Sequence, residues 1–182
     1  MRAAGNPFWR FSLRVYRMPG VAQACLALQE RCDADVNVLL FCGWSGRQGR
    51  ELDAQRLRAA MGRVAAWQSQ VIAPVRLARR ALKQQHDAGA AALGLPFRRR
   101  LAAIELDLER AEQWLLAELA AQWPRPTTAA QSAAATNLER YLALLAPAPA
   151  AQDMAHLDCI ARACSPRAAS AAMPHLAALG KR

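Results

Sequence analysis

Residues Leu28–Trp44 read LQERCDADVNVLLFCGW. The apolar run from Val36 to Cys42 carries one amide, Asn37, near its start, with Asp33 and Asp35 just ahead. By composition VNVLLFC fits a buried strand as well as a buried helix. No other segment offers a strand partner, and a lone strand leaves its backbone groups unpaired. The run is therefore read as a helix, capped by Asp33 or Asp35 and ended in a loop by Gly43, Gly46 and Gly49 with Arg47 and Arg50. Being apolar all round, it is expected at the centre of the fold. A buried Asn must find partners, since an unpaired buried amide costs ~1–3 kcal/mol. Asp35 and Asn37 are thus expected to form a buried polar contact that fixes the register of this helix, with Asn37 bonding a side chain or a broken backbone near Pro74.

Outward from this stretch every segment reads as helix. Asn6-Pro7 opens the first, with Phe8, Phe11 and Val15 on one face, and Pro19-Gly20 ends it. Val21, Ala24, Cys25, Leu28 and Cys32 recur at helical spacing. Asp53 caps a long helix through Leu57, Ala60, Met61, Val64 and Val71, which Pro74 must kink or split. Val75, Ala78 and Leu82 continue it, and Gly89 to Leu95 reads as a loop. From Pro96, the residues Phe97, Leu101, Ile104, Leu108, Ala111, Leu115 and Leu119 alternate in steps of 4 and 3, the pattern of a helix packed along another. Leu138, Tyr141, Leu142 and Leu145 mark one more helix after the Trp123-Pro-Arg-Pro linker. Ala146–Ala151 is a stiffer linker. Met154, Leu157, Ala161 and Cys164 form a short amphipathic helix before the pattern fades over 165–182.

The expected fold is all-α: a single compact bundle of about six to eight helices with a mobile C-terminal tail. Residues 1–146 form the bundle; residues 147–182 form a linker, a short helix and a flexible basic tail. At 182 residues the chain can bury a core without disulfide or metal. Its 54% apolar content owes much to Ala, which favours helix and adds little volume.

The net charge is +10, and residues 1–100 hold 17 Lys/Arg against 6 Asp/Glu, whereas residues 101–182 hold 7 against 8. A basic half attracts phosphates, nucleic acid or acidic proteins, or is simply a solvated Arg-rich surface. The five cysteines, Cys25, Cys32, Cys42, Cys159 and Cys164, fall inside apolar helical patterns and read as reduced thiols. Residues 1–30 lack the apolar core of a secretory leader, and no stretch reaches the ~18 apolar residues of a membrane span, so a cytoplasmic location is expected.

Catalytic motifs are missing. There is no phosphate-binding Gly loop with its Lys-Ser/Thr, no dinucleotide fingerprint and no His-Glu-x-x-His. His86, His156 and His175 suggest no nucleophile–base pair. His156, Cys159 and Cys164 have metal-like spacing but no fourth ligand, so no metal and no cofactor are expected. Glu105, Glu109 and Glu112 share a helical face, read as solvated and paired with Arg98, Arg99 or Arg110. The more distinctive constellation is PVRLARRALK, Pro74–Lys83, where Arg76, Arg79, Arg80 and Lys83 form a one-sided basic stripe. It is a solvated face, a source of one inward Arg for Asn37 or Asp35, or a site for a phosphate- or carboxylate-bearing ligand.

NPFWRFSLRVYRMPGVAQACLALQE, DVNVLLFCGW and VIAPVRLARRALK together resemble a mostly proteobacterial family catalogued as a domain of unknown function. The shared pattern falls on Phe8–Ser12, Pro19–Val21, Cys25–Gln29, Asp35–Asn37 and Pro74–Lys83, within about the first 120 residues. The resemblance implies a helical fold and brings no activity, cofactor or catalytic residue. Two functions are weighed. The first is a protein-interaction or regulatory module docking another protein through an Arg/Trp surface that includes Trp9, Trp44, Trp67 and Trp123. The second is a binding protein or enzyme for a small anion held by Arg76, Arg79, Arg80, Lys83 and Asn37. The missing motifs weigh against an enzyme, and nucleic acid ranks below a protein partner.

Overall fold

A computed structural model describes residues 5–84, 88–124 and 130–165. The chain is all-α, with no strand among the described residues. Its α-helices are α1 (Pro7–Tyr16), α2 (Val21–Cys32), α3 (Val36–Arg47), α4 (Ala54–Trp67), α5 (Ala73–Lys83), α6 (Ala88–Ala121), α7 (Ala130–Leu145) and α8 (Ala151–Cys164), with a π-helical turn at Gln68–Ile72. The tail expected over 165–182 lies, from 166 on, outside the described residues, as do His86 and His175. The chain forms two compact units. Unit 1 is Met1–Trp9 with Ala59–Gln122; unit 2 is Arg10–Arg58 with Trp123–Arg182.

Unit 2 is built around α3. Its side chains from Asn37 to Cys42 are all buried, so the apolar run sits where its composition requires. The two aspartates divide the work ahead of it. Asp35 is the N-cap, its Oδ1 accepting from the Asn37 and Val38 amides at 2.7 and 3.2 Å. Asp33 instead ends α2, with φ at +53° and its amide bonded to the Leu28 carbonyl. The Asp35 amide donates to Tyr141 Oη of α7 at 2.9 Å, which ties the start of α3 to α7.

The helix does not stop at Gly43, as its glycines suggest; it runs to Arg47, and Gly49 with φ +76° makes the exit. Gly43 and Gly46 are contact points. A Cβ at Gly43 would overlap Cys164 Sγ of α8, and one at Gly46 would overlap the Ala134 backbone of α7. The missing side chains let neighbouring helices approach α3 closely. The buried face of α8 is Asp153, Leu157, Ile160, Ala163 and Cys164. Met154, expected on it, is 39% exposed. Asp153 belongs there because it receives Arg31 of α2 at 2.7 Å and accepts from the Ala150 amide at 2.9 Å. Burial pushes the Cys25 and Cys164 thiols up to about 12, so both stay protonated at neutral pH.

In unit 1, α5 and α6 pack antiparallel. Asp53 caps α4 as expected, accepting from the Arg56 amide at 2.8 Å, although that cap lies in unit 2. Pro74 is accommodated by the π-helical turn just ahead of it, where the Ala73 amide reaches back to the Gln68 carbonyl. Pro74 itself falls in the first turn of α5, where its missing N–H costs no helix bond. The segment Gly89–Leu95 is helix and not loop. Ala90–Ala92 are strong helix formers, and Gly94 packs against Leu82 of α5, where an added Cβ would lie 3.4 Å from the Leu82 side chain.

The largest departure concerns α6. Its buried positions are Gly94, Glu105, Glu112, Gln113, Leu116 and Ala120. The apolar stripe expected to be the packing face is displaced from them. Leu101, Leu108, Ala111, Leu115 and Leu119 are half-buried, and Phe97 and Ile104 are 57% and 48% exposed.

Candidate functional site

The basic stripe of α5 meets the acidic face of α6 within unit 1. Arg76 Nε donates to Glu105 Oε1 at 2.9 Å and its Nη2 to Glu109 Oε1 at 3.0 Å. Arg79 Nε donates to Glu105 Oε2 at 2.5 Å. Glu105 thus receives two guanidinium groups on its two oxygens, a charge-assisted arrangement stronger than neutral hydrogen bonds. The acidic face expected to be solvated and served by Arg98, Arg99 or Arg110 is therefore partly interior, and its cations come from the neighbouring helix. Arg110 does pair with Asp107, at 3.3 Å, and also lies over the Trp9 ring at 4.8 Å. Arg80 and Lys83 are exposed and make no ion pair among the described residues.

Burial pulls the Glu105 carboxyl upward, but the hydrogen bonds and charges of Arg79 and Arg76 outweigh it and hold the group below the usual glutamate range. A carboxyl depressed on folding contributes stability that is present above its unfolded value of about 4.3 and lost as pH falls through the folded value. Glu105→Gln is expected to lower stability at pH 7 by about 1–2 kcal/mol, less than a fully dry pair because the network is partly wet. Urea unfolding at pH 7, 4 and 3 should show the gap between wild type and variant closing as the acid limit is approached. An unchanging gap would mean that the ionised carboxylate is not what stabilises.

Asp35 and Asn37 lie in unit 2, Arg76, Arg79, Arg80, Lys83 and Pro74 in unit 1. Asn37 is buried, at 7% exposure, and its backbone N–H donates to the Asp35 carboxylate at 2.7 Å as part of the α3 cap. The tryptophans are largely absorbed by packing. Trp9 is buried beside Arg110. Trp67 donates its indole N–H to the Leu108 carbonyl at 3.1 Å. In unit 2, Trp44 and Trp123 each stand 6.0 Å from the Phe41 ring, and Arg56 covers Trp123. Trp114, on α6, is the tryptophan left exposed.

A polar residue that the sequence reading passed over organises unit 2. Asn137 of α7 is fully buried. Its Oδ1 accepts from the Leu52 amide at 2.7 Å, and its Nδ2 donates to the Cys42 and Arg50 carbonyls at 3.2 and 2.9 Å. The available signal was an Asn on the apolar face made by Ala133, Ala134, Leu138 and Tyr141. Nearby, an open cleft of about 680 Å³ is lined by Glu51, Asp53, Ala54, Arg56, Arg140, Ala143 and Leu144. Its charges are mutually engaged: Arg140 pairs with Glu51 at 3.2 Å, and Arg56 donates to the Glu51 carbonyl at 3.0 Å. Among the described residues no group of His, Cys, Asp and Glu is gathered to hold a metal ion, and no helix is long and apolar enough to cross a membrane.

Comparison with known families matches residues 7–116 to a family described as "Protein of unknown function (DUF2390)". All five motifs that carry the resemblance noted from the sequence lie inside that span. No curated protein and no solved structure matches the chain.

Proposed function

The chain belongs to the DUF2390 family, and on that premise we propose that it is a cytoplasmic helical interaction module that docks a protein partner through the α5–α6 face of unit 1. The observation that carries this reading is the exposure of three large apolar side chains on the outer face of α6. Leu93, Phe97 and Ile104, spaced 4 and 7 apart, stand on one face of the helix in solvent. Large apolar side chains clustered on one exposed helix face are the mark of a contact surface. Exposed Arg80, Lys83, Arg99 and Arg100 on the same two helices add cations that suit an acidic rim on the partner. The contact surface is thus Leu, Phe and Ile with Arg, and of the tryptophans only Trp114 adds to it. A small anion on the α5 stripe is the weaker reading, because Arg76 and Arg79 already hold carboxylates of α6.

The test is capture of partners by the immobilised full chain, washed at low and at high salt, with wild type and Phe97→Glu side by side. Wild type should retain a discrete protein that the variant loses, with helix content by circular dichroism unchanged. Equal retention by both would move the contact off this face and overturn the reading.

A further inference from the structure

We infer that the exposed stripe of α6 is a self-pairing surface, and that two copies of this chain associate through their α6 helices in antiparallel orientation. The inference rests on the reading of α6 as a contact face and names the occupant.

Its basis is a pattern that burial exposes and composition hides. Leu93, Phe97, Arg100 and Ile104 follow one another in steps of 4, 3 and 4, and Asp107, Ala111, Trp114 and Glu118 continue the alternation. Of these eight, seven are exposed and Ala111 is half-buried. Five of the eight, Leu93, Phe97, Ile104, Ala111 and Trp114, are apolar, and an apolar stripe at 4-3 spacing on the outside of a helix suits packing along a second helix. The helix is 34 residues long, so the seam from 93 to 118 runs about 38 Å at 1.5 Å per residue.

Charge selects both the partner and its direction. The first half of the stripe carries Arg100, with Arg98 and Arg99 beside it, and the second half carries Asp107 and Glu118. A parallel copy would set Arg100 against Arg100 and Asp107 against Asp107, which is repulsive. Reversing one helix about the midpoint between 105 and 106 removes the clash. Phe97 then faces Trp114 of the other copy, and Arg100 lies one layer from its Asp107, each pairing occurring twice by symmetry. The aromatic rings of Phe97 and Trp114 face each other, the Arg100–Asp107 contact is diagonal, and Leu93 and Ile104 lie against the stems of Glu118 and Asp107, all without a second sequence. The buried side of α6 is unaffected, because Glu105 and Glu109 are already engaged by Arg76 and Arg79.

The experiment is sedimentation of the full chain from 1 to 100 µM, with wild type, Arg100→Asp, Asp107→Arg and the double variant. Wild type should sediment at twice 19.8 kDa. Each single reversal places like charges across the seam and should weaken the dimer roughly tenfold or more. The double variant exchanges the pair and should recover to within about threefold of wild type, the signature of direct coupling. A wild type that stays at 19.8 kDa throughout overturns the inference, and so does a double variant no better than the singles. If wild type is monomeric while Phe97→Glu still abolishes capture of another protein, self-pairing falls and the interaction module stands. If the charge exchange restores a dimer and no other protein is captured, self-pairing stands and the wider docking role falls.

Discussion

Asn137→Ala is expected to destabilise the protein by about 3–5 kcal/mol, a large part of the ~5–15 kcal/mol available to a domain. The Asn137 amide is fully buried and satisfies three backbone groups: the Leu52 N–H, the Cys42 carbonyl and the Arg50 carbonyl. Truncation leaves these groups facing a small apolar void, at roughly 1–3 kcal/mol for each one that stays unpaired. Two of them belong to the chain leaving α3 toward α4, a stretch with no regular structure of its own to hold it. Asn137→Asp sharpens the test. It keeps the shape and the acceptor for the Leu52 amide, but turns an oxygen toward two carbonyls. At neutral pH it should cost as much as alanine or more, with partial recovery in mild acid as the carboxyl is protonated. Urea unfolding gives the energies, and hydrogen exchange at the Leu52 amide should accelerate in Asn137→Ala. A loss below about 1 kcal/mol, the typical net worth of a single hydrogen bond, would show that the loop is held by other means.

The second large effect is a contrast among glycines on helices. Gly46→Ala adds a methyl group where the backbone of Ala134 already lies, with the Ala133 carbonyl carbon 2.7 Å from the new carbon. Neither can yield like a side chain, so α3 and α7 must move apart. The strain is expected to exceed about 3 kcal/mol, against a helix-propensity gain of about 1 kcal/mol. Gly43→Ala meets Cys164 Sγ, the end of a side chain that can rotate, and should cost less. Gly62→Ala meets nothing within 4 Å on the exposed side of α4 and should stabilise by about 0.5–1 kcal/mol. Thermal melts of the three variants should rank in that order. Equal effects at Gly46 and Gly62 would remove close helix approach as the reason for the glycine.

What was legible in the sequence was local. Asn6, Asp35 and Asp53 carry their caps because a cap needs only two or three following amides. Pro74 announces its own disturbance, and the run Val36–Cys42 announces burial. What could not be read depends on partners far along the chain. Gly43 and Gly46 look like terminators until Cys164 and Ala134, distant in sequence, pack against them. Glu105 looks like a surface carboxylate until Arg76 and Arg79 arrive from α5. The 4-3 pattern of α6 is visible as a pattern, but periodicity does not say which side of it faces inward. There the polar side won, because Glu105 and Glu109 hold internal cations while Phe97 and Ile104 are left in solvent.

The π-helical turn at Gln68–Ile72 has a geometric consequence. Such a turn amounts to one residue inserted into an α-helix, which resets the phase of everything downstream by about 100°. In uninterrupted winding Trp67 and Arg79 would point about 120° apart; with the insertion they differ by about 20°. That is why the indole that reaches the Leu108 carbonyl and the guanidinium that reaches Glu105 can both address α6 from one rod. Deleting a single residue between 68 and 72 would remove the insertion and leave 11 regular steps between the two side chains, still about 20° apart, so the cations would keep their face; winding all 12 residues as a plain α-helix would turn them away.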